Sequence, residues 1–202
     1  MAPAWLRCSF EPFDRGSKAP KFPYCRYAPV SDEADCLRVI QDETGAWDAA
    51  FRAELGARLC ALIVLLNRSH SFQTTHTVIG SHDPRTIQGY EWATSSLGVA
   101  ITVMFRETAL RFDINAHVQL VHSLCQAFSS PPFAGDSTGW LLGVWPELVL
   151  HENPARGDDI RAYGVEIRAA AFDNTEVLCA DRLSRMLAWI TELLARSARV
   201  ES

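Results

Sequence analysis

The sequence predicts an α+β protein: an antiparallel sheet of four or five strands with two helices on one face, plus a long N-terminal helix and an extended N-terminal arm. Three observations carry this reading. Apolar residues Trp47, Phe51, Leu55, Leu59, Leu62 and Leu66 recur at helical spacing, which marks a long helix over residues 46–68. From Phe72 the texture changes to β-branched and aromatic runs, "FQTTHTVIG" and "EWATSSLGVAITVMF", which read as strands. The strand-like and helix-like stretches then follow one another as two strands and a helix, twice over, rather than alternating singly.

The first thirty residues hold five prolines and the aromatics Trp5, Phe10, Phe13, Phe22, Tyr24 and Tyr27, with neither a strand nor a helix period. A disordered tail is poor in aromatics. Residues 1–30 are therefore expected to form an arm that packs on its own domain or on a neighbour, with residues 31–202 as a single α+β domain. Ser31 is placed to cap a first helix running to about Glu43, with Asp32, Glu33 and Asp35 in its first turn. Asp113 opens a helix carrying Ile114, Val118, Val121, Cys125 and Phe128. "WLLGVWPELVL" and "IRAYGVEIRAAAF" read as two further strands, and Asn174 or Thr175 caps a last helix with an apolar stripe from Leu183 to Leu194.

The two halves, residues 70–130 and 139–198, share a pattern that suggests a ββα duplication. "IGSHDPR" precedes "LGVAITVMF" and "VLHENPAR" precedes "YGVEIRAAAF". If residues 88–105 divide into two strands, the element order becomes α-βββ-α-ββ-α. In outline that order resembles the class I chaperones of type III secretion, which implies a partner-binding chaperone. The resemblance spans about residues 46–197 and assigns no residue a role.

Composition excludes more than it identifies. A net charge of −5 gives no basic field for nucleic acid. The longest apolar run, Leu59–Leu66, is too short to span a bilayer. The six cysteines are scattered without a CxxC pair. Cys60, Cys125 and Cys179 fall in apolar helical segments, where free thiols behave as small hydrophobes. A cytoplasmic protein of a reducing compartment, without a signal peptide or transmembrane segment, is expected.

Asp83-Pro84 and Asn153-Pro154 have turn chemistry, yet His82, Arg85, His151 and Arg156 could rim one small-molecule pocket if the strand ends meet. Asp158, Asp159 and Glu166 followed by Arg168 resemble the carboxylate core of Mg²⁺-dependent nucleases. The third position there wants lysine, and alternating Glu166 and Arg168 otherwise reads as a solvated strand face. His117 and His122 are five apart on a helix, off the interval that a metal pair needs. "GDSTG" around Ser137 lacks the strand–turn–helix setting of a nucleophile elbow. There is no phosphate-binding glycine loop. No metal and no cofactor are expected.

The expected function is a non-catalytic protein-binding or assembly protein: a chaperone, a toxin-immunity protein or a phage-like structural component. Its partner is another protein or a second copy, bound through Trp5, Phe10, Phe13 and Tyr24, because buried aromatics dominate interface energetics. The nuclease and the small-molecule binder are the alternatives.

Overall fold

A computed structural model describes residues 5–19, 21–22, 36, 49–81, 83–130, 139–152 and 159–200. The arm supplies two short strands, β1 (Leu6–Cys8) and β2 (Lys21–Phe22). Then follow α1 (Ala49–Arg68), β3 (Phe72–Gly80), β4 (Ser95–Phe105), a single turn α2 (Thr108–Arg111) and α3 (Ile114–Ala127). The chain closes with β5 (Trp140–Glu152), β6 (Asp159–Asp173) and α4 (Glu176–Val200). The helix expected over residues 31–43 falls outside the described residues except for Cys36, which is helical and buried.

The six strands among the described residues form one sheet in the order β1-β5-β6-β4-β3, with β2 also on β5. The four long strands are antiparallel, and the arm adds to the outer edge of β5 in parallel. The sheet is therefore mixed, where an all-antiparallel sheet was expected. Residues 88–105 do not divide: one strand, β4, begins at Ser95. The premise for the secretion-chaperone outline is absent. The hairpins β3–β4 and β5–β6 lie side by side with β4 against β6, an arrangement symmetric about the β4–β6 contact.

Strand alternation sorts the sheet into two faces. Leu97, Val99, Ile101 and Val103 of β4 share one core with Leu142, Val144, Val165, Ile167, Ala169 and Ala171. Leu55, Leu59, Leu62 and Leu66 of α1, Val121 and Leu124 of α3, and Leu183, Leu187 and Ile190 of α4 belong to the same core. Three helices thus cover one face, and α1 packs with them rather than elsewhere on the sheet. The caps follow the expected chemistry. The Asp113 carboxylate accepts from the Asn115 amide (2.9 Å), and the Thr175 hydroxyl accepts from Leu178 (3.3 Å).

Trp5 is also in this core, edge-on to Trp189 at 6.3 Å. Cys8 is joined by a disulfide to Cys125 of α3, so the expectation that Cys125 is a free apolar thiol is overturned. The thiol is near the helix surface, where β1 brings its partner within bonding distance. Cys36, Cys60 and Cys179 are buried. Burial pushes the Cys179 thiol up to about 11.

Candidate functional site: a buried carboxylate pair clasped by the arm

The second face of the sheet carries the polar cluster. Register places His76, Thr102, Glu166 and Trp145 in a row across β3, β4, β6 and β5. Glu147 lies two residues beyond Trp145 on the same face. Thr102, Glu147 and Glu166 are buried, as are Met104, Val149 and Ala162 beside them. Room for the two acids comes from Gly164, which stands opposite Glu147. A Cβ there would meet the Thr102 methyl at 2.8 Å and the Val103 carbonyl at 3.1 Å.

Arg15 of the arm reaches into this cluster. It pairs with Glu147 through Nε and with Glu166 through Nη2. Glu147 also accepts from the Thr102 hydroxyl (2.9 Å), and Glu166 pairs with Arg168 at 2.8 Å. The Arg168 guanidinium in turn lies over the Trp145 ring, 5.2 Å from its centroid. Burial, and then the nearby Glu166 charge, push the Glu147 carboxyl up to about 7, while Arg15 and the Thr102 hydroxyl pull it back. Like charges in a dry site cannot both ionise freely, which is why one acid of such a pair is raised.

Local sequence explains how Arg15 arrives there. Gly16 has φ +59°, a left-handed conformation that glycine adopts without strain. The Asp14 carboxylate accepts from the Gly16 amide at 2.6 Å, closing an Asx-type turn. The arm then follows β5 through bonds from Ser9 to the Val144 carbonyl (3.1 Å), from Phe13 to the Pro146 carbonyl (2.8 Å) and from Leu148 to the Phe13 carbonyl (3.0 Å). The Pro146 carbonyl faces the arm, so its nitrogen does too. The proline costs the β5–β6 ladder nothing, and it denies the arm one donor. Between Cys8 and Phe13 the arm leaves regular pairing, and there Phe10 and Phe13 stay 47% and 54% exposed.

Paired carboxylates are the usual machinery of general acid–base work. Here neither has solvent contact and both are held by arginine, so the pair serves as the receptor for Arg15. Among the described residues no three His, Cys, Asp or Glu side chains converge on a metal-binding point. No helix among them is long and apolar enough to cross a membrane.

The sites expected from sequence are distributed differently. Asp159 is exposed at the start of β6 and Glu166 is buried seven residues on. That spacing puts them about 23 Å apart, on opposite faces. The nuclease grouping is not assembled by these two, and Asp158 lies outside the described residues. Nor is Glu166 part of a solvated face, because the arm and the neighbouring strands enclose it.

His151 and the Asp83–Arg85 segment occupy opposite ends of the sheet. Gly80, where β3 ends, is level with Gly98, Ala170 and Leu141. His151 is ten residues further along β5, about 33 Å away. Arg85 and His151 are therefore far apart; His82 and Arg156 lie outside the described residues. Arg85 is instead locked to Asp83, with Nε 2.9 Å and Nη2 2.8 Å from the carboxylate, in the short helical turn Pro84–Thr86. His151 lies 3.3 Å from Arg111 and 6.0 Å from the Phe112 ring.

The two helical histidines diverge as well. His117 is buried against Phe105 and near Tyr163, its Nδ1 2.8 Å from the Asp113 carbonyl, and burial holds its pKa below the ordinary value. His122 is exposed, 6.2 Å from Phe10. Ser137 and Tyr24 lie outside the described residues. Sequence reasoning missed the Arg15–Glu147–Glu166 cluster. Its one legible trace was a lone carboxylate inside each of two apolar runs, "WPELVL" and "YGVEIRAAA".

Compared with known protein families, curated proteins and solved structures, the chain matches no family model, no curated protein and no solved structure.

Proposed function

We propose that this chain is a non-catalytic binding or assembly protein that presents a fastened aromatic arm to another protein or to a second copy of itself. The observation that carries this reading is the exposure of Phe10 and Phe13 on a segment otherwise held at three points. Trp5 is in the core, Cys8 is bonded to Cys125, and Arg15 is paired with two buried glutamates. Aromatic side chains held in place before binding lose little freedom on association, which favours their use as anchors. Of the four residues expected to meet a partner, Trp5 is committed to its own domain, and Phe10 and Phe13 take the role. The symmetric packing of the two hairpins also supports reading the ββα halves as products of a duplication. The Cys8–Cys125 bond favours an oxidising compartment over the reducing cytoplasm expected from sequence.

Removing residues 1–30 would be a poor test, because it strips Trp5 from the core and leaves Glu147 and Glu166 without Arg15. The test is Phe10→Ser/Phe13→Ser, which touches neither. A photo-crosslinking residue at position 10 or 13 should capture one discrete partner, a second copy included, while the same label at exposed Val177 captures none. Sedimentation of the unlabelled chain should lose any self-association in the double serine variant. Equal crosslinking from position 177, or none from positions 10 and 13, overturns the reading.

A further inference from the structure

We propose that Cys8–Cys125 is a thiol-exchange site for a dithiol reductant, and that its reduction unlatches only the leading half of the arm. This rests on the binding reading above and adds a means of controlling it.

Three features of the structure lead there. The arm has two independent fasteners on either side of the Pro146 interruption. The leading half, Trp5–Ser9, is bonded through Cys8 and hydrogen-bonded from Leu142 to the Trp5 carbonyl (2.8 Å) and from Ser9 to Val144 (3.1 Å). The trailing half is held by the Phe13 pairing and by Arg15 in the carboxylate pair.

The two fasteners also differ in access. Cys8 and Cys125 are each half-buried, whereas Cys36, Cys60 and Cys179 are buried. A thiolate must reach a sulfur to exchange with it, and both residues of the bonded pair are partly exposed. Finally, β1 is three residues long and lies at the sheet edge, so once the disulfide opens only buried Trp5 and Leu6 and its few backbone bonds hold it.

The chemistry balances within the pair and its reductant. One thiolate of the dithiol attacks one of the two sulfurs, the S–S bond breaks, and the departing cysteine thiolate takes a proton. The second thiolate of the reductant then displaces the other cysteine, which is also protonated. Two electrons and two protons pass to Cys8 and Cys125, and the reductant leaves as its own disulfide. Phe10, between the fasteners, then loses its fixed position on the leading side.

The test uses the whole chain, dithiothreitol as the reductant, peptide mapping to confirm which cysteines are reduced, and residue-resolved amide exchange. Under native conditions the Cys8–Cys125 bond should open while Cys60 and Cys179 resist alkylation. The Ser9 and Leu142 amides should then speed up at least tenfold more than those of Phe13 and Leu148, whose change reports the overall loss of stability. Cys8→Ser/Cys125→Ser should show the same pattern without reductant. Should that variant not fold, the reduced natural chain gives the answer by itself. A bond that resists the dithiol, a reduced chain with unaltered Ser9 and Leu142 exchange, or equal loosening of Phe13 and the helices would each overturn the latch. Phe10→Ser/Phe13→Ser leaves the disulfide intact, so failure of the binding reading shows separately in its crosslinking.

Discussion

Arg15 and Glu166, 151 residues apart in the chain, form an ion pair on the face of the sheet opposite the helices. The arm is thereby fixed from the far side of the sheet, while Trp5 and Cys8 fix it from the helical side. Breaking one partner of a buried pair leaves an uncompensated charge, which costs about 3–5 kcal/mol. Arg15→Ala is expected to destabilise the fold by that order in chemical denaturation. Adding Glu147→Gln to Arg15→Ala should recover part of the loss above about pH 8, where Glu147 would otherwise be ionised without its arginine, while Glu166 keeps Arg168. Additive losses in this double-mutant cycle would show that Arg15 and Glu147 do not interact.

The raised Glu147 carboxyl makes stability depend on pH with a definite sign. Its folded-state value is about 7 against an ordinary 4.5, so the folded chain takes up a proton that the unfolded chain has released. The contribution is fully present below about pH 4.5 and is lost as pH rises through 7. The melting temperature should therefore fall between pH 5 and pH 8, by the equivalent of roughly 3 kcal/mol. In Glu147→Gln this dependence should largely disappear. A melting temperature that rises over the same interval in the natural chain, and less so in the variant, would reverse the assignment.

The disulfide closes a loop with a sequence separation of 117. On a chain-entropy argument, its loss lowers stability by about 4–5 kcal/mol. Denaturant unfolding of Cys8→Ser should show a midpoint well below that of the natural oxidised chain. Reduced natural protein should unfold close to the variant. Identical midpoints for oxidised and reduced chains would mean that the bond contributes nothing.

Gly164 tests the packing beside Glu147. The methyl of an alanine there would press on the Thr102 methyl at 2.8 Å and on the Val103 carbonyl at 3.1 Å, and the latter is backbone that cannot rotate away. Gly164→Ala is expected to cost about 1–3 kcal/mol and to weaken the Thr102–Glu147 hydrogen bond. By contrast Phe10→Ser/Phe13→Ser should cost no more than about 1–2 kcal/mol, since each residue is about half exposed. Calorimetry on the two variants separates packing from presentation.

The sequence by itself determined which stretches are helix and which are strand wherever a period was long and unbroken. Asp113 and Thr175 named their helix starts, and Asp83-Pro84 named its turn, because capping and turn chemistry act within a few residues. It also determined that an aromatic arm would have something to pack against. Only the tertiary structure decided where the arm went, since parallel pairing of β1 with β5 depends on an edge that exists once the sheet is assembled. The same holds for the charged residues. A glutamate in a strand reads as solvent-facing until the neighbouring strands enclose it, and nothing within β6 announces that Arg15 will arrive from the arm. The histidines near the two proline turns looked like one site because their local strings match. Antiparallel pairing of β4 with β6 puts the Asp83-Pro84 turn and His151 at opposite ends of the sheet. Interactions that close over more than a hundred residues, Cys8 with Cys125 and Arg15 with Glu147 and Glu166, leave no local period to read. They are set by which edges and faces meet.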